Sequence, residues 1–162
     1  MLKDQIKIKR IKKEDIDSLR PLADEFIRTH GSITFRDDYW SSFRGWLNTL
    51  GIREDIQCLC AKINDDIVGF VIGIIQDNGP LLSPERIGYV SIMVVDRNHR
   101  NKGIGNALWR ELRYWFLSRD IKHFELYTEF GNSLSGSFWK NRGFSIFLER
   151  RRSDNLESLP SE

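Results

Sequence analysis

Residues 87 to 105 constrain this chain more than any other stretch. A run rich in β-branched residues (Val90, Ile92, Val94, Val95) leads into a basic loop with Arg97, Arg100 and Lys102, and then Gly103-Ile104-Gly105 opens a helically periodic segment. The first part reads as a strand, Ile87 to Val95, by residue type. The last reads as a helix from about Gly103 to Ser118, with Ile104, Leu108, Leu112, Trp115 and Phe116 on its apolar stripe. A strand, a loop and a helix start in that order aim backbone N–H groups and the positive end of the helix dipole at one place, and glycine lets a ligand come close. A phosphate is the natural occupant of such a place, with Arg97, Arg100 and Lys102 adding charge beside it.

The elements around this stretch follow from periodicity. Ile6, Ile8 and Ile11 among basic residues predict a half-exposed strand. Ile16, Leu19, Leu22, Ala23, Phe26 and Ile27 recur at helical spacing after Lys13-Glu14-Asp15, and a second helix spans Arg36 to Leu50 before Gly51. Ile56–Ile63 and Ile67–Gln76 read as an antiparallel hairpin turned at Asn64-Asp65-Asp66. After the glycine-bearing helix come a strand from Lys122 to Phe130, a helix from Asn132 to Arg142 ended by Gly143, and a last strand from Phe144 to Arg150. The order is β-α-α-β-β-β-α-β-α-β, an α/β chain of α+β type. One domain is expected over residues 1–152, with a polar, frayed tail over 153–162.

Composition removes several classes of function. The 162 residues, 40% apolar and 30% charged, suffice for a sizeable core without disulfides or metal. The longest apolar run, Val68 to Ile75, is far short of the roughly 20 residues that cross a bilayer, and Met1 to Lys7 lacks the pattern of a secretory signal. No membrane role and a cytoplasmic location are the expectation. Cys58 and Cys60 lie two apart in a strand, on one face, as small buried hydrophobes. His30, His99 and His123 are scattered without partners at ligand spacing, so no metal is expected. A net charge of +2 from 25 basic and 23 acidic interspersed residues gives little reason to expect nucleic acid as a partner.

Three uses of a glycine-bearing phosphate loop can be compared. A P-loop needs Lys-Ser/Thr after its last glycine, where this chain has Asn106-Ala107. The dinucleotide fingerprint wants a third glycine at Leu108 and a tighter turn. The third comparison fits: Arg100-Asn101-Lys102-Gly103-Ile104-Gly105, after a strand ending Met93-Val94-Val95, resembles the acetyl-CoA loop of the GNAT N-acetyltransferase superfamily. Asn132, seven residues before Trp139 and followed by Lys140-Asn141-Arg142-Gly143-Phe144, resembles the second motif of that family. The specific motifs cover roughly residues 87 to 146.

The resemblance implies a central mixed, mostly antiparallel sheet, splayed between the Ile87–Val95 and Lys122–Phe130 strands to take acetyl-CoA as acetyl-donor cosubstrate. It implies that the main chain of Met93, Val94 and Val95 pairs with the pantetheine arm. Backbone groups of Arg100, Asn101, Lys102, Gly103, Ile104, Gly105 and Asn106 would hold the pyrophosphate, with Asn132 and Trp139 near the thioester arm. Acceptor specificity would lie in the first two helices, where Phe35, Tyr39 and Trp40 beside Asp37 and Asp38 either receive a cationic amine or form an ordinary helix start. The implied activity is transfer of acetyl to a primary amine of a small molecule or protein, the acceptor itself being unnamed by any motif.

Two positions depart from the family pattern. Trp139 stands where many members carry tyrosine, and an indole N–H is no practical proton donor at neutral pH. Tyr89 and Tyr127 stand where some members carry a catalytic glutamate. Both are the candidate catalytic residues, and they either line the acceptor path, order a water or pack; Ser91 is expected on the face of Tyr89, and Glu125 and Glu129 on that of Tyr127. The alternative from another class is a non-catalytic acyl-CoA-binding or sensing domain. The chain after Phe144 leaves little for a seventh strand, which a homodimer partner could supply.

Overall fold

In the computed structural model, which describes residues 6–152, Asn64 adopts φ 56°, in the left-handed region that asparagine tolerates, and closes the turn between β2 (Ile56–Ile63) and β3 (Asp66–Asp77). The hairpin is antiparallel, as two strand-like runs joined by a turn predict. β1 (Ile6–Arg10) pairs antiparallel with β2, and β4 (Arg86–Val95) pairs antiparallel with β3. β5 (Phe124–Leu126) then joins β4 in parallel, completing a mixed five-stranded sheet in the order β1-β2-β3-β4-β5.

The segment after β1 is a 3₁₀ helix, Lys13–Leu19, running into α1 (Arg20–Arg28), rather than one continuous helix. Pro21 stands in the first turn of α1, where its missing N–H is harmless. α2 spans Tyr39–Leu47, and a separate 3₁₀ turn, Leu50–Ile52, contains Gly51; the predicted Arg36–Leu50 helix is therefore shorter at both ends. α3 spans Ile104–Leu117, one residue inside each predicted end.

The sheet is covered on both faces. Ile16, Leu19, Leu22, Leu47 and Leu50 pack with Ile56, Cys58, Cys60, Phe70, Ile72 and Val94 in one apolar cluster. Both cysteines are free and buried there, and burial pushes both thiols up from their ordinary pKa. On the other face α3 lies so close that a Cβ at Gly73 would stand 2.5 Å from Leu112 Cδ1, and one at Gly88 2.8 Å from Phe116 Cδ1. Those two glycines let the helix seat its Leu112 and Phe116 directly on the strands.

These elements form one compact unit ending at Tyr127, and a second begins at Thr128. Within the second, α4 (Ser133–Lys140) is followed by Gly143 at φ 86°. Gly143 N donates to Lys140 O at 3.1 Å and Phe144 N to Trp139 O at 3.2 Å, the paired bonds that close a helix on a left-handed glycine.

Two predicted strands differ from what forms. The Lys122–Phe130 strand is reduced to the three residues of β5, because only Phe124, Glu125 and Leu126 find ladder partners on β4. Phe144–Arg150, expected to be the last strand, forms none among the described residues, and Ile146, Phe147 and Leu148 stand exposed. The tail expected over 153–162 lies outside the described residues.

Candidate active site

The geometry of the site begins with a fault in the sheet. Along β4, Val90 lies opposite Gly73 and Ile92 opposite Ile72, so Ser91 has no cross-strand partner and forms a bulge. A bulge bends its strand and increases its twist. β5 pairs with β4 at Gly88, Tyr89 and Val90 and no further. From Ser91 to Val95 no strand among the described residues pairs with that side of β4, leaving an edge of about 16 Å at 3.3 Å per residue. The bulge also changes the phase of the strand. Tyr89 lies opposite Ile74, and Ile92 opposite Ile72, so Tyr89 shares its face with Ile92 rather than with Ser91 as simple alternation predicts.

Immediately after that edge comes the loop. Asp96 caps a 3₁₀ turn, Arg97–His99, by accepting from Asn98 N at 2.8 Å. His99 Nδ1 lies 2.9 Å from Asp96 Oδ1, and since an ionised carboxylate only accepts, the imidazole donates. That hydrogen bond holds the Asp96 carboxyl below its usual range, against the opposing pull of burial. Asn101 at φ 60° and Gly103 at φ 84° are both left-handed, the kind of backbone alternation that gathers N–H groups into an anion-binding hollow.

Gly103 is the N-cap of α3 and has no side chain with which to satisfy the first-turn N–H groups of Ile104, Gly105 and Asn106, and no acidic residue sits in that turn. The positive end of a 14-residue helix thus has neither a side-chain cap at its N-cap residue nor an acidic residue in its first turn. A Cβ at Gly103 would meet nothing within 4 Å, so the space beside the loop is open. An open hollow of backbone donors next to an open strand edge fits a phosphate joined to an extended, amide-bearing arm.

The basic side chains of the loop behave differently from one another. Lys102 Nζ donates to Asn98 O at 2.9 Å, folding over its own loop. Arg97 is exposed. Arg100 turns inward: its Nη2 donates to Glu25 Oε1 of α1 at 2.6 Å and its Nε to Val95 O at 3.1 Å. Its charge is matched by Glu25, so it does not add a free cation beside a phosphate. No spacing signals a partner 75 residues away; the Asp96 cap, by contrast, was readable as an aspartate directly after a strand.

Where β5 parts from β4, the rings of Tyr89 and Tyr127 meet edge to face with centroids 5.7 Å apart. Tyr89 is half-buried and Tyr127 exposed. Glu125, opposite Tyr89 in the ladder, lies 3.6 Å from His123 Nε2. On the acceptor side of the resemblance, Asp38 is held by Arg36 through two hydrogen bonds of 2.7 and 2.9 Å, which commits its carboxylate locally. The hydroxyl of Tyr39 is buried without a hydrogen-bond partner.

In the second unit, Asn132 caps α4 by accepting from Ser135 N at 3.1 Å. Trp139 is buried, its ring 4.9 Å from that of Phe138 and 5.1 Å from that of Phe144. Among the described residues no group of three or more His, Cys, Asp or Glu could hold a metal, and no helix is long and apolar enough to cross a membrane.

A mixed sheet whose last strand runs parallel to its neighbour and parts from it after Val90 is a fold found in solved acetyltransferases. Solved structures agree on that fold. The aminoglycoside antibiotic 6'-N-acetyltransferase AAC(6')-IG of Acinetobacter haemolyticus superposes with a TM-score of 0.75 at 15% identity, over 92% of this chain and 97% of that one. Aminoglycoside N-acetyltransferase AAC(6')-Iy, solved in complex with CoA, gives 0.72 at 15% identity over 91% and 95%. The chain belongs to the acetyltransferase (GNAT) family, whose model matches residues 19–144. A curated relative, N-alpha-acetyltransferase 30 of Xenopus laevis, is 28% identical over 87 residues, which are 54% of this chain and 31% of that protein. The match thus spans about a third of the relative's length.

Proposed function

We propose that this acetyltransferase moves an acetyl group from acetyl-CoA to a primary amine of a small molecule or protein, by direct attack of the amine on the thioester. The observation that carries the reading is the juxtaposition of the open Ser91–Val95 edge with the left-handed hollow at Asn101 and Gly103. Support also comes from the CoA carried by the AAC(6')-Iy structure and from the amine-acetylating names of the other relatives.

When bound, acetyl-CoA supplies the thioester carbonyl and a thiol leaving group of pKa near 8.5. This chain's own part is to hold and orient. The main chain of Met93, Val94 and Val95 offers N–H and C=O groups to amides of the donor arm, as a neighbouring strand would. Backbone N–H groups from Asn101 to Asn106 and the start of α3 receive the pyrophosphate. The C–N bond forms as the C–S bond breaks, and the ammonium proton leaves by way of water. Tyr89 and Tyr127, at the parting of the strands, flank the acceptor's approach and order that water through their hydroxyls, which both donate and accept hydrogen bonds. The buried Trp139 supports the packing of its unit and has no role as proton donor.

The test is calorimetric titration with acetyl-CoA, followed by a panel of amines while free thiol is monitored. Saturable binding with amine-dependent thiol release is the expected result. Binding with no thiol release across the panel favours a non-catalytic acyl-CoA-binding domain, and absence of binding removes the proposal.

A further inference from the structure

Arg100 opens the glycine-bearing motif, and its position beside a phosphate hollow invites the reading of a phosphate ligand. The contacts point elsewhere. The guanidinium bonds Glu25 Oε1 through Nη2 at 2.6 Å and Val95 O through Nε at 3.1 Å. Val95 is the last residue of β4, and Glu25 lies in the last turn of α1. One side chain therefore joins the end of a strand, the loop that follows it and a helix from the far end of the sequence.

Glu25 is the only buried polar or charged residue among those described, and a carboxylate in that position is tolerated because a cation meets it. α1 itself packs against β4. The planar fork of arginine can serve two acceptors in fixed directions, which a lysine ammonium cannot do with the same geometry.

We propose that Glu25 is a positioning residue for the donor loop: it holds Arg100 as a strut that closes the segment from Val95 to Arg100 and keeps Asn101 and Gly103 in their left-handed turns. Since α1 belongs to the side of the fold implied in acceptor recognition, the strut ties the donor loop to the acceptor side. The proposal rests on the loop being the pyrophosphate site, and its test separates the two ideas.

The sign of the effect is diagnostic. A carboxylate near a phosphate site repels the ligand, so if Glu25 acted only by charge, Glu25→Gln would tighten donor binding. As the holder of a strut it must do the reverse. We expect Glu25→Gln to raise KM for acetyl-CoA about tenfold, the range of a lost charged hydrogen bond, with kcat within about twofold. Amide hydrogen exchange over residues 97–105 of the unliganded protein should quicken by about the same factor. Arg100→Gln should match Glu25→Gln, the double variant should be no worse than either, and Glu25→Asp should recover part of the loss. Arg100→Lys keeps the charge but not both contacts and should also loosen the loop, which covers the case in which Glu25→Gln fails to fold.

A lower KM in Glu25→Gln, unchanged exchange over the loop, or an Arg100→Gln effect persisting in full in the Glu25→Gln background would each overturn the proposal. If the wild type binds no CoA while exchange still quickens in the variants, the pyrophosphate reading fails and the strut stands.

Discussion

Tyr127 sets its ring edge to face against that of Tyr89, centroids 5.7 Å apart, one residue beyond the last ladder partner that β5 offers to β4. The pair sits at the mouth of the parted sheet. Tyr127 is 68% exposed, so removing its hydroxyl should leave stability within about 0.5 kcal/mol. Tyr127→Phe is expected to lower kcat by about a hundredfold, the low end of the range for proton-handling groups, with an unchanged melting temperature. Unchanged turnover would reduce the pair to packing.

The hollow at the start of α3 makes a sharper prediction. Gly105→Glu places bulk and negative charge where the pyrophosphate is proposed to lie and should abolish CoA binding by calorimetry. Gly103→Ala has space but not conformation: at φ 84° a Cβ costs about 1–2 kcal/mol, which lowers the melting temperature of a chain this size by roughly 2–8 °C. Micromolar affinity retained by Gly105→Glu would move the site elsewhere.

Trp139→Phe separates packing from proton transfer. With Phe138 and Phe144 against its ring, the indole fills space that phenylalanine would leave partly empty, and a loss of roughly 1–3 kcal/mol in denaturant unfolding is expected from the cavity left. Turnover of the folded variant should stay within about tenfold. A fall of several orders of magnitude at unchanged stability would give Trp139 a chemical role.

Acid stability has a readable source in Asp15 and Lys62, whose Oδ1 and Nζ are 2.6 Å apart. Burial pulls the Asp15 carboxyl upward, and the Lys62 hydrogen bond and charge, helped by Lys12, bring it below its ordinary value. A carboxyl depressed by folding stabilises the protein above its unfolded pKa near 4, and that contribution is lost as pH falls through the lower folded value. Thermal melts from pH 6 to pH 2 should therefore show a shallower acid limb in Asp15→Asn than in the wild type. Parallel curves would show that the pair does not contribute.

The sequence made some of this legible and concealed the rest for physical reasons. The ends of β2 and α3 follow from local signals: turn residues at Asn64-Asp65 and a glycine at the helix start. Phe144–Arg150 shows why residue type alone is not sufficient. Phe144, Ile146 and Phe147 favour a strand by type, while a strand exists only where another supplies its ladder, and β propensity is largely a matter of such neighbours. The bulge at Ser91 was hidden because nothing in Val90-Ser91-Ile92 breaks the pattern of an extended run. Arg100 was legible as a cation in the right loop, but its partner Glu25 was not, since a contact across 75 residues leaves no trace in spacing.

The parted sheet has a consequence outside catalysis. An unfinished strand edge is the surface on which other chains most readily add, and most proteins keep such edges at the periphery, short or guarded by charge. Here Ser91–Val95, half-buried or buried and without a ladder partner on one side among the described residues, carries Ile92, Met93, Val94 and Val95 and no lysine or proline. A donor laid along that edge, as proposed, would act as its cover as well as its substrate.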